Sequence, residues 1–211
     1  MAGEPSALDG LIAAIAKGDD GAARRLLAAR PELAHAKVTV GATRAEARAH
    51  FLDEIGHYVY AGDTALHIAA AAHSADLVTA LTEVGADVGA ANRRGAQPLH
   101  YAVDGGPNAA AWDPGAQTET VRRLLESGAD PNAVDRGGVT PLHRAIRNRC
   151  APAVEALLAG GADARRTNGR GSTPWQLAQW TTGKGGSGSD AAKEQQARIL
   201  RLLEDHGAAA G

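Results

Sequence analysis

The stretch GVTPLHRAI, residues 138–146, decides how this chain folds. Thr140 is a residue type that caps a helix N-terminus through its hydroxyl, and Pro141 follows at the first helical position, where a missing N–H leaves no bond unmade. A helix starts here. Working outward, GDTALHIAA from Gly62, GAQPLHYAV from Gly95 and GSTPWQLAQ from Gly171 align with it without gaps, making Thr64, Gln97, Thr140 and Thr173 equivalent. These positions lie 33, 43 and 33 residues apart, a period of 33 carrying one insertion of ten.

A second landmark follows each of the first: Gly85-Ala86-Asp87, Gly128-Ala129-Asp130, Gly161-Ala162-Asp163 and a terminal Gly207-Ala208. A glycine that adopts the left-handed conformation closes a helix. The helix it closes carries an apolar stripe in each unit, from Val78 and Leu81, Val121 and Leu124, Val154 and Leu157, and Leu200 and Leu203. The landmarks are 21, 31, 21 and 34 residues apart within their units, so the second and fourth units are lengthened between their two helices.

This pattern resembles the ankyrin repeat family, with its 33-residue unit and TPLH-like signature. The resemblance covers Gly62 to Gly207 and implies an all-α solenoid of helix-turn-helix units joined by short hairpins. It also implies that His67, His100 and His143 are structural, bonding within and between units. The fourth unit departs from the signature with Trp175 and Gln176, as terminal repeats do. The expected division is 62–94, 95–137, 138–170 and 171–211 behind an N-terminal region, 1–61.

In that region, LDGLIAAIAKGDDGAARRLLAARPELA reads as a helix from about Leu8, a turn at Gly18-Asp19-Asp20 and a second helix ending near Pro31, a pair that caps the stack. Thr43 and Glu46 have capping-box spacing, and Phe51, Leu52 and Ile55 form an apolar face, which predicts one further helix. HYVYAGD, residues 57–63, reads as an extended or hairpin connection.

Composition agrees with a helical, soluble chain. Of 211 residues 44% are hydrophobic but only 3% aromatic, so the apolar content is mostly Ala, Leu and Val, which suits small close-packed helices. A net charge of -2 gives no bulk attraction to nucleic acid or to an anionic membrane. MAGEPSALDG has no secretory pattern, and no run of about 18 apolar residues occurs. The single cysteine, Cys150, forms no internal disulfide and fits the reducing cytoplasm. A monomer is expected, and the arginine bias with Ala-Gly richness points to a bacterial, high-GC genome.

A solenoid binds with the concave surface made by its first helices and hairpin tips. The register places Tyr60, Arg93, Arg94, Arg136 and Arg170 on tips, and Tyr101, Asp104, Arg144, Arg147 and Trp180 on first helices. Such a face, basic with interleaved aromatics, predicts a protein-interaction groove for an acidic partner, since guanidinium groups match carboxylate geometry.

An alternative is a small-molecule or anion-binding protein, conceivably an atypical enzyme. The inserted loops 104–117 and 180–192 leave the same end of their first helices and flank RNRC, residues 147–150. They would make a pocket with Trp112 and Lys184 at its sides and Arg147 and Arg149 at its base, and Asp104, His73 or Asp113 as acid or base. A third reading is a structural part of a larger complex, or a factor delivered into a host.

No cofactor is expected. GKGGSGS, residues 183–189, lacks the order of a P-loop and reads as a flexible linker. Metal ligation has one weak candidate, His50, Asp53 and His57 on one predicted helical face. Ser74 and Ser127 lack a nucleophile elbow, and Cys150 reads as a packing residue.

Overall fold

A computed structural model of the chain describes residues 6–107, 112–180 and 188–209. Among them are ten α-helices arranged as five antiparallel pairs: α1 (Ala7–Ala16) with α2 (Asp20–Ala29), α3 (Ala65–Ala71) with α4 (Ala75–Glu83), α5 (Pro98–Ala102) with α6 (Pro114–Glu126), α7 (Pro141–Arg147) with α8 (Ala151–Ala159), and α9 (Pro174–Gln179) with α10 (Asp190–Asp205). First helices stack in one row, α1 on α3 on α5 on α7 on α9; second helices stack in another, α2 on α4 on α6 on α8 on α10.

Each unit starts as the capping residues dictate. Thr140 Oγ1 accepts from the His143 amide at 3.3 Å, while His143 Nδ1 accepts from the Thr140 amide at 3.2 Å. Thr64 with His67 and Gln97 with His100 repeat the second bond at 3.1 and 3.2 Å. The far nitrogen of two of the rings reaches the next unit: His67 Nε2 donates to the Ala96 carbonyl at 3.1 Å and His100 Nε2 to the Val139 carbonyl at 3.0 Å, whereas His143 Nε2 has no hydrogen-bond partner among the described residues. His67 and His100 therefore couple neighbouring units. Burial holds all three below the usual imidazole range, His100 at about 4, so they are neutral and can both donate and accept.

The hairpin tips repeat equally closely. The side-chain oxygen of Asn92, Asp135 or Asn168 accepts from two amides of its own turn, at 2.8 to 3.1 Å. One main-chain bond then ties each tip to the preceding one: Arg93 N to Ala61 O at 2.8 Å, Arg136 N to Arg94 O at 2.9 Å, and Gly169 N to Gly137 O at 3.0 Å. Gly62, Gly95 and Gly138 hold φ between +68° and +88°, and a β-carbon at any of them would press on the backbone of the next tip.

Between the helix rows lies a continuous core in which Leu66, Leu77, Leu81, Leu99, Leu124, Leu142, Leu157 and Ile199 are fully buried. Alanines fill much of the rest. All seven residues of α3 are buried, because α1, α4 and α5 enclose it and small side chains let them approach.

One expectation fails. No α-helix spans 43–55; after a short 3-10 turn at Arg48–His50, β1 (Phe51–Leu52) pairs antiparallel with β2 (His57–Tyr58). The capping bond itself forms, Glu46 N to Thr43 Oγ1 at 3.2 Å. Yet Phe51 packs on Tyr58 with ring centroids 4.7 Å apart, a cross-strand aromatic pair that an isolated short helix could not match.

Candidate functional site

The tips and first helices build a groove. A cavity of about 680 Å³ is lined by Arg93, Arg94, Arg136, Arg147, Arg170 and Trp180, with Asp135 as the single acidic residue on its walls among the described residues. All five arginines are exposed. Among the described residues none of their guanidinium groups has a carboxylate within 4.0 Å. The Trp180 side chain stands out at the C-terminal end, 61% exposed.

The N-terminal part of the concave face is occupied by the chain itself. The excursion 36–61 crosses it, held by Val38 N to Asp63 O at 2.8 Å and by Arg93, which donates from its guanidinium to the Ala42 carbonyl. Arg93 and Arg94 also stack on the Tyr60 ring, 5.7 and 5.0 Å from its centroid, and Arg94 Nη1 donates to Tyr60 Oη at 3.0 Å.

Tyr101 must accordingly be corrected: it is 1% exposed rather than presented to a partner. Its ring lies 4.4 Å from the His57 ring, centroid to centroid, and its hydroxyl donates to Asp63 at 2.9 Å. Buried Asp63 also accepts from Asn92 Nδ2 at 2.8 Å and from the Tyr60 amide at 2.7 Å. Burial and this carboxylate push the Tyr101 phenol far above its usual range, so it remains a donor.

Asp104 and Arg144 are likewise committed. Arg144 Nη1 lies 3.1 Å from Asp104 Oδ2, and His57 Nε2 reaches the same oxygen at 3.0 Å. Burial alone would raise the Asp104 carboxyl, but the bond from His57 and the Arg144 charge outweigh it and hold it below the usual range. Arg144 is thereby neutralised, which the helical register could not reveal.

The turn 147–150 sits between the two inserted segments. Asn148 Nδ2 donates to the Val103 carbonyl at 2.9 Å, and a β-carbon at Gly106 would collide with the Asn148 carbonyl. On the other side, a β-carbon at Gly188 would collide with Arg149 Nη1. Trp112 does not wall this region: it is half-buried against the core, with Nε1 donating to Gln117 Oε1 at 2.8 Å. Lys184 and most of GKGGSGS lie outside the described residues.

The acid-base candidates are otherwise engaged or inert. Asp113 caps α6, accepting from Gly115 N at 2.8 Å and Ala116 N at 3.0 Å. Burial lowers the His73 imidazole, whose Nε2 has no partner. Cys150 is buried with Sγ 2.7 Å from Gln117 Oε1, and burial pushes its thiol up to about 11, so it is no nucleophile at neutral pH. His50, Asp53 and His57 share no helical face; Asp53 pairs with Arg48 at 3.0 Å, and no three ligand-type residues converge among those described.

Stacked helix pairs with an open basic groove define a helical repeat scaffold. The chain belongs to the ankyrin repeat family: sequence models of ankyrin repeats match residues 11–112 (three copies), 94–136 (a single repeat) and 124–178 (many copies). Ankyrin repeats mediate protein–protein interaction. Comparison with curated proteins found no match. No helix among the described residues is long and apolar enough to cross a membrane.

Proposed function

We propose that this protein is an interaction module that grips an acidic segment of a protein partner along its arginine-lined groove. The contacts are Tyr60, Arg93, Arg94, Arg136, Arg147, Arg170 and Trp180. One observation carries the reading: five exposed arginines face a single cavity whose walls hold one acid among the described residues. Surface arginines on a chain of net charge -2 ordinarily find carboxylates nearby, and these are held apart from them by the register of the tips. Guanidinium forks suit carboxylates, and Trp180 and Tyr60 offer apolar faces at either end of the row.

The test uses a labelled peptide of alternating glutamate and leucine, followed by fluorescence polarisation across a salt series. Binding is expected to weaken steeply with salt, and Arg136→Ala with Arg170→Ala to weaken it about tenfold or more while flattening the salt dependence. Salt-independent binding, or a double variant that binds like the parent, overturns the reading.

A further inference from the structure

Arg149 is an anomaly on two counts. It occupies the α7–α8 turn at φ +56°, the left-handed conformation that His73 adopts at the equivalent place in the α3–α4 turn (φ +52°), so the backbone itself is a feature of the repeat. It is only 6% exposed. Its guanidinium has no hydrogen bond and no carboxylate among the described residues, and Nη2 is buried without any partner. An ionised group that leaves water unpaired is strongly unfavourable, and guanidinium does not escape by losing its proton.

Residues 181–187, TTGKGGS, and 108–111, NAAA, contain no Asp or Glu. The guanidinium lies instead against Gly188 and so beside Ser189, the N-cap of the 16-residue helix α10. A helix N-terminus carries partial positive charge, which repels a cation and attracts an anion.

Arg149 borders a second cavity of about 340 Å³, shared with Arg147 and walled by Ile146, Leu177, Ile199 and Trp180. Among the described residues no acidic one lines it. Its size is that of a small-ligand site, and its walls are apolar apart from the two guanidinium groups and the side-chain amides of Asn148 and Gln196. We infer that this cavity binds an oxyanion, a carboxylate or phosphate group, joined to an apolar body, with Arg149 as the buried anchor and Arg147 at the mouth. A buried charge left without a partner is what a site retains when binding needs it. Because Arg147, Leu177 and Trp180 also line the groove, the oxyanion belongs either to a side chain of the partner or to a free small molecule; the chemistry is the same.

Thermal unfolding at constant ionic strength tests this without any protein partner. Phenyl phosphate and benzoate are expected to raise the midpoint of the full chain in a saturable manner, benzamide to leave it unchanged, and inorganic phosphate to act more weakly. Arg149→Met should abolish the response while unfolding at an equal or higher midpoint without ligand, since an uncompensated charge is gone. Arg149→Gly, suited to the left-handed backbone, should lose the response too. No response in the parent, a retained response in both variants, or a lower ligand-free midpoint in both would overturn the site.

The glutamate-leucine peptide separates the sources. Competition with phenyl phosphate assigns the oxyanion to the partner, and simultaneous binding assigns it to a free molecule. The groove is independent of this outcome: Arg136→Ala with Arg170→Ala should leave the phenyl phosphate response intact, so either reading can fail alone.

Discussion

At the scale of single residues, the signature histidines do two jobs that only a neutral imidazole allows. His100 accepts from Gln97 N and donates to the Val139 carbonyl, and burial first, then Arg144, hold its pKa at about 4. The unfolded chain takes up that proton near 6.5 while the folded chain resists it, so stability is full above about pH 6.5 and falls as the pH drops toward 4. On the order of 3 kcal/mol is at stake for His100, and His67 and His143 act in the same direction. The urea midpoint, measured between pH 7 and 4, should decline accordingly. His100→Gln should lessen that decline, because Gln176 already serves the fourth unit by accepting from Thr173 N at 3.0 Å and does not titrate. An equally steep decline in the variant would assign the effect elsewhere. Gln97 itself is a flaw, its Oε1 buried without a partner where the other units carry threonine. Gln97→Thr should stabilise by about 1 kcal/mol, read as a higher urea midpoint at unchanged slope; a lower midpoint would mean that the longer side chain fills needed space.

At the scale of elements, the excursion 36–61 shows how far sequence periodicity reaches. The helix pairs were legible because Thr140-Pro141, the terminal glycines and the apolar stripes recur at fixed offsets and act locally. The hairpin was not, because Thr43 to Glu46 makes the same cap that a helix would and the deciding contacts, Phe51 to Tyr58 and His57 to Tyr101, lie farther along the chain. That one element also removed Tyr101 from the surface and tied Asp104 to His57, so these two residues of the candidate face were misread. Arg149 was assigned to a pocket base from loop positions alone; its lack of a counter-charge needed coordinates. The hairpin adds little to the core beyond Val59, so its docking and global stability should separate. His57→Ala should speed hydrogen exchange at Ala42 and Val59, whose amides bond to Val59 O and His50 O, by about tenfold, while the urea midpoint stays near that of the parent. Exchange that is unchanged there, or a midpoint that falls in step, would show that the hairpin and the stack fold as one unit.

For the whole molecule, stability is a sum of units and the interfaces between them, since each helix meets chiefly the partner within its own pair and the neighbouring helices of its row. The last pair illustrates the consequence. In α10 the buried Ile199 and Leu203 face α8, while Arg201, Glu204 and Asp205 are exposed, so the pair closes the stack with a polar outer surface. Removing residues 171–211 would uncover the sides of α7 and α8 that meet α9 and α10. The remaining units keep their own caps and their bonds to the preceding tips, so residues 1–170 should still unfold in a cooperative transition. Its urea midpoint should be lower, and its slope smaller by roughly a fifth, following the surface no longer buried. Addition of Arg149→Met to this truncated chain should have little further effect on the midpoint, because the cavity that confines the guanidinium is built from α9 and α10. A truncated chain without any cooperative transition would mean that the terminal pair nucleates the stack rather than sealing it.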